Sequence, residues 1–237
     1  MRLDKYLTDK LLETRTQAIY FIKSSKIKVN DKIVTKPSYI LKSEDIVTLI
    51  PKHIYVSKGG YKLEAFLNKI NFSINNKVIL DIGCSTGGFT NYFLVHNAKK
   101  IIAIDIAKDI LSKKLLNNKN LIYYDDFDIL NINNFAVLNQ KFDVISIDVS
   151  DVSIKEVLKL IPFLLKKSGS IIALFKPHYE GKKGIVSKID KEKQSADFEN
   201  WLLQNTPFKI IHKLNSSERG GYKLTGNREI FYLLKYK

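Results

Sequence analysis

Four charged residues that lie far apart in the sequence are the strongest candidates for catalysis: Lys62, Asp148, Lys176 and Glu229. Asp148 and Lys176 directly follow apolar runs typical of buried strands, and Glu229 directly precedes such a run. Lys62 lies near the start of a predicted helix, where a cation is unfavourable unless it faces an anion. The alternative for Lys62 is a solvent-facing side chain. Carboxyl ends of parallel strands form the ligand edge of open α/β sheets, so we expect Asp148 and Lys176 there.

This combination of charges suits the removal of a proton from a hydroxyl group that acts as a nucleophile. Two cations and two anions in one cleft share the desolvation cost and shift one another's pKa. A partly desolvated Lys beside a second Lys loses its proton more easily and can serve as a base. Lys176 would be the base or proton-lowering group, and Asp148 would orient it. Lys62 and Glu229 would complete the electrostatic surroundings.

A glycine-rich turn follows the predicted strand Val78–Leu80, in the pattern Asp81-x-Gly83-x-x-x-Gly87-Gly88. The three glycines allow positive φ and close approach of a ligand to the backbone. A helix after the turn would offer free N–H groups to a polar ligand. The pattern differs from the G-x-G-x-x-G of NAD proteins and favours S-adenosylmethionine as the cofactor. The alternative is a glycine-rich turn in a sheet that binds no nucleotide.

Acidic residues follow the next two predicted strands and extend this cofactor site. Asp105 lies 22 positions after Gly83, close to the offset at which an acid binds ribose hydroxyls, although a helix cap is the alternative. Asp126 is placed to accept the adenine amino hydrogen, and Phe127 is expected in the core. The predicted cofactor-binding residues are Asp81, Gly83, Ser85, Thr86, Gly87, Gly88, Phe89, Asp105, Asp126, Asp128 and Asp148.

The order of these segments predicts an α/β fold with a Rossmann-like, mostly parallel sheet of the class I methyltransferase type. The predicted strands end at the residues that carry the chemistry, and the last one, Ile230–Leu234, is expected to be antiparallel. Gly181–Gln194 is polar and Lys-rich, and we expect either a flexible loop over an RNA entrance or a plain solvated loop.

Bulk composition narrows the class of partner. The chain has 237 residues, 45% hydrophobic content and a net charge of +15, so a packed core and a polyanionic partner are expected. One Cys excludes an internal disulfide and fits the cytoplasm. No apolar run approaches the ~18–20 residues of a membrane span, which speaks against stable membrane insertion. The four histidines, which are His53, His96, His178 and His212, do not have the spacing of metal ligands. We therefore predict no metal site.

The N-terminal segment 1–52 is predicted to be a small basic α+β module. It carries 11 basic and 6 acidic side chains. Two helices are expected, the first with Leu3, Leu7, Leu11 and Leu12 on one face and the second capped by Thr16. Short strands follow. The candidate RNA-binding residues are Arg2, Lys5, Arg15, Lys26, Lys28 and Lys36. The alternative is a solvated basic surface with no RNA role.

Four segments of this module resemble the S-four-type RNA-binding module of ribosomal proteins and RNA-modifying enzymes. They are Arg2–Leu7, Thr14–Ala18, Lys26–Asn30 and Lys36–Pro37. Ser25 stands where that family often has Gly. Residues 53–56 are predicted to be the linker, followed by the methyltransferase domain at 57–237.

The remainder of the chain resembles the FtsJ-like ribose 2′-O-methyltransferases, and the whole chain resembles the TlyA family, whose members are also labelled haemolysins. The matching segments are Val56–Leu63, Asp81–Thr90, Asp148–Ser150, Lys176–Glu180 and Gly226–Glu229. The resemblance implies 2′-O-methylation of an rRNA cytidine with S-adenosylmethionine, in naked rRNA or in an assembled subunit. Similarity to the shorter type, which lacks extensions at both ends, favours the large subunit as the substrate, with the small subunit as the alternative.

Two positions depart from the family pattern. The aromatic residue after D-x-S is Asp151 here, and the Gln after K-P is His178, so both departures concern the expected methyl-transfer site. Two other readings stay open. One is a membrane-active haemolysin, and the other is a non-catalytic RNA-binding assembly factor. A monomer is the expected oligomeric state.

Overall fold

The computed structural model describes residues 1–180, 187–219 and 228–237. The chain divides into two compact units, Met1–Ile54 and Tyr55–Lys237. The linker predicted at 53–56 stays a prediction. Two residues of the segment Gly226–Glu229, Gly226 and Asn227, lie outside the described residues. The first part of the expected loop, residues 181–186, also lies outside them.

The N-terminal unit joins two helices to a three-stranded antiparallel sheet of order β2-β1-β3. Its elements are α1 (Leu3–Lys10), α2 (Arg15–Lys23), β1 (Ile27–Val29), β2 (Lys32–Ile33) and β3 (Val47–Leu49). The α+β architecture is confirmed.

Two local predictions in this unit were wrong. The cap of α2 is Thr14 and not Thr16, because the Thr14 hydroxyl accepts the N–H of Gln17 at 3.1 Å. Leu11 is 40% exposed because α1 ends before it, whereas Leu3, Leu7 and Leu12 are buried.

The second unit is a seven-stranded sheet with helices, of strand order β6-β5-β4-β7-β8-β10-β9. Strands β4 to β8 run parallel, and β10 is antiparallel to both of its neighbours, as predicted. The elements are α3 (Lys58–Lys69), β4 (Val78–Ile82), α4 (Gly88–Val95), β5 (Lys100–Ile104), α5 (Lys113–Leu116), β6 (Leu121–Tyr124), a 3₁₀ helix (Ile132–Leu138), β7 (Phe142–Ile147), α6 (Ile154–Leu160), β8 (Leu165–Phe175), α7 (Pro177–Glu180), α8 (Lys188–Asn205), β9 (Phe208–Arg219) and β10 (Arg228–Tyr236).

The central strands are continuous apolar runs because helices cover both faces of a parallel sheet. Ile79, Leu80, Ile145 and Ile147 are all buried in the core, and so is Phe127, as expected. Polar residues therefore appear where these strands end, and this edge carries the candidate site.

Two elements differ from the sequence-based expectation. Lys188–Gln194 belongs to α8, an 18-residue helix, and not to a loop. Ser187 begins it as an N-cap, with its hydroxyl accepting the N–H of Asp190 at 3.1 Å. Strand β9 was not predicted at all.

Candidate active site

A buried ion pair joins Lys62 on α3 to Glu229 on β10. The Lys62 ammonium lies 2.5 Å from the Glu229 carboxylate, and the two side chains are 6% and 4% exposed. Lys62 is thus not the solvent-facing lysine of the alternative interpretation. Its anion comes from the protein, at a distance of 167 residues along the chain. Each charge offsets the desolvation cost of the other.

Glycine contacts set the position of α3 and hence of Lys62. A Cβ added to Gly88, the first residue of α4, would lie 2.3 Å from the Ser57 hydroxyl and 3.1 Å from backbone atoms of Gly59 and Gly60. A Cβ on Gly60 would lie 2.4 Å from the ring of Tyr55. The two helix N-termini can therefore approach each other only because glycine occupies these positions.

A second ion pair joins the two strand ends predicted to carry the chemistry. Lys176, directly after β8, places its ammonium 2.7 Å from the carboxylate of Asp148, directly after β7. Burial of Lys176 lowers its pKa, but Asp148 and then Glu229 act in the other direction, and the resulting pKa lies above the ordinary value. The prediction that a second lysine would ease proton loss from Lys176 was therefore wrong for the protein alone.

The two ion pairs belong to one cluster, as the sequence predicted. Glu229 raises the pKa of Lys176 electrostatically. The charges of Glu229, Lys176 and Lys62 all act on the pKa of His178. Burial lowers the pKa of His178, Glu229 raises it, and the two lysines lower it further, so the imidazole is neutral near pH 7. The cluster thus contains two cations, two anions and one neutral ring.

The glycine-rich turn lies directly against this cluster. Gly83 and Gly87 adopt φ values of +76° and +91°, which confirms the predicted need for glycine. A Cβ on Gly83 would lie 2.8 Å from the backbone oxygen of Asp148, so the turn contacts the residue that holds Lys176. Gly88 is not in the positive-φ region, and its requirement comes from packing against α3.

Asp81 is completely buried beneath this turn. Its carboxylate accepts the Thr90 hydroxyl at 2.6 Å and the Ser146 hydroxyl at 2.7 Å. These bonds tie β4 to α4 and to β7. Burial raises the pKa of Asp81 to about 6, even though the two hydroxyls lower it. In this arrangement Asp81 supports the turn from below.

The other predicted cofactor residues divide into an open group and a packed one. Ser85 and Thr86 are exposed on the turn. Asp105, after β5, accepts the N–H of Ser85 at 2.7 Å and that of Ala107 at 2.9 Å, and α5 begins too late for it to be a helix cap. Phe89 is buried and stacks on a core ring, with centroids 6.0 Å apart.

Asp126 and Asp128 follow β6 at the same edge of the sheet. Asp126 has a φ of +51° and forms an exposed ion pair with Lys108 at 2.9 Å. Asp128 accepts the N–H of Leu130 at 2.8 Å and so shapes its own turn. Asp126 is thus the more open of the two acids.

Glu180 is a residue that the sequence analysis did not single out. It makes two hydrogen bonds to the start of α6, which we call the clasp. Its carboxylate accepts the Ser153 hydroxyl at 2.6 Å and the N–H of Ile154 at 2.7 Å, which satisfies the start of α6. The clasp fastens α7, which follows Lys176, to the helix that follows the Asp148 loop. In the sequence, the available signal for this contact was Ser153 directly before the apolar helical pattern of α6.

The candidate RNA-binding residues of the N-terminal unit fall into two groups. Arg2 and Arg15 both contact the buried carboxylate of Asp4, at 2.9 and 3.1 Å. These bonds hold the pKa of Asp4 down at about 2, with the Arg2 hydrogen bond as the largest cause. Lys5 and Lys36 are exposed, whereas Lys26 and Lys28 are half-buried and Lys26 lies over the ring of Tyr20.

Within the described residues, no group of three His, Cys, Asp or Glu side chains is arranged to hold a metal ion.

Across that same portion of the chain, no helix combines the length and the apolar character needed to cross a bilayer.

Two protein families match segments of this chain. The S4 domain matches residues 1–47, and the FtsJ-like methyltransferase family matches residues 55–225. Hemolysin A of Brachyspira hyodysenteriae is 35% identical, with 79% of each chain covered. The 23S rRNA (cytidine-2'-O)-methyltransferase TlyA of Campylobacter jejuni is 32% identical, with 98% of each chain covered.

The solved structure of a hemolysin candidate from Streptococcus thermophilus is also similar. The TM-score is 0.72 at 26% sequence identity, and the match covers 100% of this chain and 88% of that one.

Proposed function

The chain belongs to the TlyA family, in which an S-four-type module precedes an FtsJ-like methyltransferase domain, and on this premise we propose that it methylates the ribose 2′-hydroxyl of a cytidine in ribosomal RNA. The Lys176–Asp148 pair, which lies against the glycine-rich turn, is the observation that carries the proposal. It brings a proton-transfer group and a candidate cofactor turn to one edge of the sheet.

S-adenosylmethionine is the proposed cofactor, and the donor set of the sheet edge fits it. Asp105 offers carboxylate oxygens suited to ribose hydroxyls, and Asp126 is an exposed acceptor for an adenine amino group. The Gly83–Gly88 turn presents exposed Ser85 and Thr86 above a buried carboxylate. When bound, this cofactor supplies an electrophilic methyl group on a sulfonium.

Lys176 is the residue that we assign to the 2′-hydroxyl. In the protein alone its pKa is raised, so it carries a proton at neutral pH and can donate a hydrogen bond. A second positive charge close by would disfavour the ammonium form and make proton acceptance easier. Asp148 holds the Lys176 amine at 2.7 Å, while Lys62 and Glu229 keep their own charges paired beside it.

The proposed substrate is large-subunit rRNA, as naked RNA or within an assembled subunit. The 23S specificity in the name of the Campylobacter jejuni relative supports this choice, as does the net charge of +15. Contact residues in the N-terminal unit would be Lys5 and Lys36, which are exposed, together with Lys26 and Lys28. We further propose that the protein acts as a cytoplasmic monomer.

Transfer of a tritiated methyl group from labelled cofactor to ribosomal subunits tests the proposal. Wild-type protein should label rRNA, and Lys176→Ala should reduce the rate at least a thousandfold while cofactor binding persists. Lys166→Ala is a matched control, because Lys166 pairs with Asp143 at 2.9 Å between the same two strands, β7 and β8. Undiminished transfer by Lys176→Ala would refute the role of Lys176.

The two other candidate functions predict different results. An RNA-binding assembly factor would bind subunits without labelling them. A membrane-active protein, the function suggested by the name of the Brachyspira hyodysenteriae relative, would release dye from liposomes without cofactor. Mapping 2′-O-methyl positions in rRNA with and without the protein would then identify the modified nucleotide.

A further inference from the structure

Tyr179 is a half-exposed aromatic residue beside the catalytic cluster. It lies on α7, three positions after Lys176, and is 50% exposed. Phe163 is equally exposed at 50%, but it precedes β8 and so lies at the opposite edge of the sheet. Ligand sites combine aromatic side chains with a small number of placed polar groups, and Tyr179 beside this cluster provides such a combination.

The ring of Tyr179 is held by its neighbours. The Lys176 ammonium lies over it, 5.6 Å from the ring centroid. The imidazole of His178 packs against it, with centroids 4.4 Å apart and planes inclined by 42°. His178 is itself half-buried and lies within the electrostatic influence of Lys62, Lys176 and Glu229. A ring held in this way loses little conformational freedom when a ligand stacks on it.

The position of Tyr179 relative to Lys176 fits a nucleobase. In a ribonucleotide the carbon that bears the base is bonded to the carbon that bears the 2′-hydroxyl. A ribose that presents this hydroxyl to Lys176 therefore holds its base close to the Lys176 ammonium, and Tyr179 offers a ring centroid 5.6 Å from that ammonium. The loop after β7 offers no ring there, because it carries the polar residues Ser150 and Asp151, whose side-chain oxygens lie 3.5 Å apart.

We propose that Tyr179 stacks on the unpaired nucleobase of the acceptor nucleotide and so positions its 2′-hydroxyl at Lys176. The inference rests on the proposed function and names the part of the RNA that this site recognises. Stacking on an aromatic side chain is the usual way in which proteins hold a base that has left its own stack. Tyr179 is thus a positioning residue, and the 2′-hydroxyl chemistry stays with Lys176 and Asp148.

Steady-state kinetics on ribosomal subunits from cells that lack the activity test this proposal. Tyr179→Ala should raise the KM for subunits about tenfold, within the range of base stacking measured by alanine substitution. Tyr179→Phe keeps the ring and should stay within about twofold of wild type. The matched control Phe163→Ala, which removes an equally exposed ring at the other edge, should leave the KM unchanged. Cofactor binding, measured by calorimetry, should be the same in all variants and also reports folding.

A second substitution separates stacking from apolar burial. Tyr179→Leu retains apolar bulk but has no π-face, so it should behave like Tyr179→Ala. A Tyr179→Leu enzyme with the KM of wild type would overturn the proposal, as would a Tyr179→Ala enzyme with unchanged KM. Subunit binding in the presence of S-adenosylhomocysteine provides the same comparison without turnover. If wild-type protein transfers no methyl group at all, the proposed function fails, whereas active wild type with indifferent Tyr179 variants overturns only the stacking role.

Discussion

Asp81 shows how a single carboxylate can organise the glycine-rich turn without an exposed atom. It is wholly buried, and its bonds to the hydroxyls of Thr90 and Ser146 connect three elements beneath the glycines. The cost of this burial appears in the pKa, which is raised from 3.8 to about 6. Asp81 therefore binds its proton more tightly in the folded chain than in the unfolded chain.

The pH dependence of folding should show this residue directly. The raised pKa of Asp81 makes its stability contribution greatest below pH 3.8, and the contribution is lost as the pH rises through about 6. Wild type should therefore gain roughly 2 to 3 kcal/mol relative to Asp81→Asn between pH 7 and pH 4. Urea unfolding followed by the fluorescence of Trp201, the single Trp, measures this difference.

Asp143→Asn is the control with the opposite sign. The pKa of Asp143 is lowered, because two neighbouring lysines and the Val78 N–H outweigh its burial, so its contribution is lost as the pH falls. Wild type should therefore lose stability relative to Asp143→Asn on acidification. Parallel pH curves for wild type and Asp81→Asn would contradict the buried-proton interpretation of Asp81.

Residue types and their places at strand ends were enough to predict the four clustered charges, but not their pairing. Asp148 and Lys176 could be placed at one edge because both follow apolar strands. The direction of the Lys176 pKa could not be predicted, since it depends on carboxylates that converge only in the folded chain. The same holds for Arg2 and Arg15, which bind the buried Asp4 as well as being candidates for RNA contact.

At the level of elements, the site depends on the alignment of two helices that follow adjacent strands. The clasp of Glu180 spans α7 and α6, and these helices begin next to Lys176 and after the Asp148 loop. A carboxylate at the start of a helix is favourable both as a cap and through the helix dipole. The clasp therefore links the segments that follow the two strand ends at Asp148 and Lys176.

Removing the clasp should lower the rate more than the stability. Glu180→Ala is expected to reduce kcat at least tenfold, because a shift of about 1 Å in Lys176 relative to Asp148 misaligns the reacting groups. The loss of stability should be about 1 kcal/mol, the usual value of a helix cap. Methyl-transfer kinetics and urea unfolding measure the two quantities separately.

Glu180→Gln provides the rescue that distinguishes positioning from folding. Its amide oxygen can still accept the Ile154 N–H, and its NH₂ group can donate to the Ser153 hydroxyl, so most of the lost kcat should return. The KM for cofactor should change little in either variant, since the bonds of Glu180 go to Ser153 and Ile154, which are not among the proposed cofactor residues. A Glu180→Ala enzyme with wild-type kcat would show that the clasp is dispensable for catalysis.

Strong periodicity decided which elements could be predicted. Strands β4, β5, β6 and β7 are short, mostly apolar runs, and the strand predicted at Val78–Leu80 is β4, which extends two residues further, to Ile82. Strand β9 is different, because Lys209, His212 and Lys213 interrupt its apolar residues at the edge of the sheet, where one side of the strand faces water. Helix α8 begins in a Lys-rich stretch whose polar surface resembles a loop.

Over the whole molecule, the positive charge has two separable consequences. Several lysines of the second unit form specific pairs, such as Lys62 with Glu229 and Lys166 with Asp143. The N-terminal unit exposes Lys5 and Lys36 on a compact scaffold, where they are available for phosphate groups. Affinity for RNA should thus respond to these exposed lysines and to salt, and cofactor binding should not.

The salt dependence of RNA binding provides the test at this scale. Each phosphate contact releases counterions, so log K falls with log[salt] by about 0.7 to 0.9 per contact. Replacing Lys5 and Lys36 together by Gln should reduce this slope by about 1.5 and weaken binding at low salt. Filter binding of ribosomal subunits between roughly 50 and 200 mM salt covers the useful range.

Lys99→Gln with Lys141→Gln is the matched control for net charge. Both lysines are exposed, and they lie beside the amino ends of β5 and β7, away from the catalytic edge of the sheet. A general effect of the +15 charge would make the two double variants equivalent. A specific RNA-binding role of the N-terminal unit requires the slope to fall in the Lys5 and Lys36 variant alone. Equal slopes in both double variants would therefore remove the N-terminal unit as the source of phosphate contacts, even if methyl transfer persists.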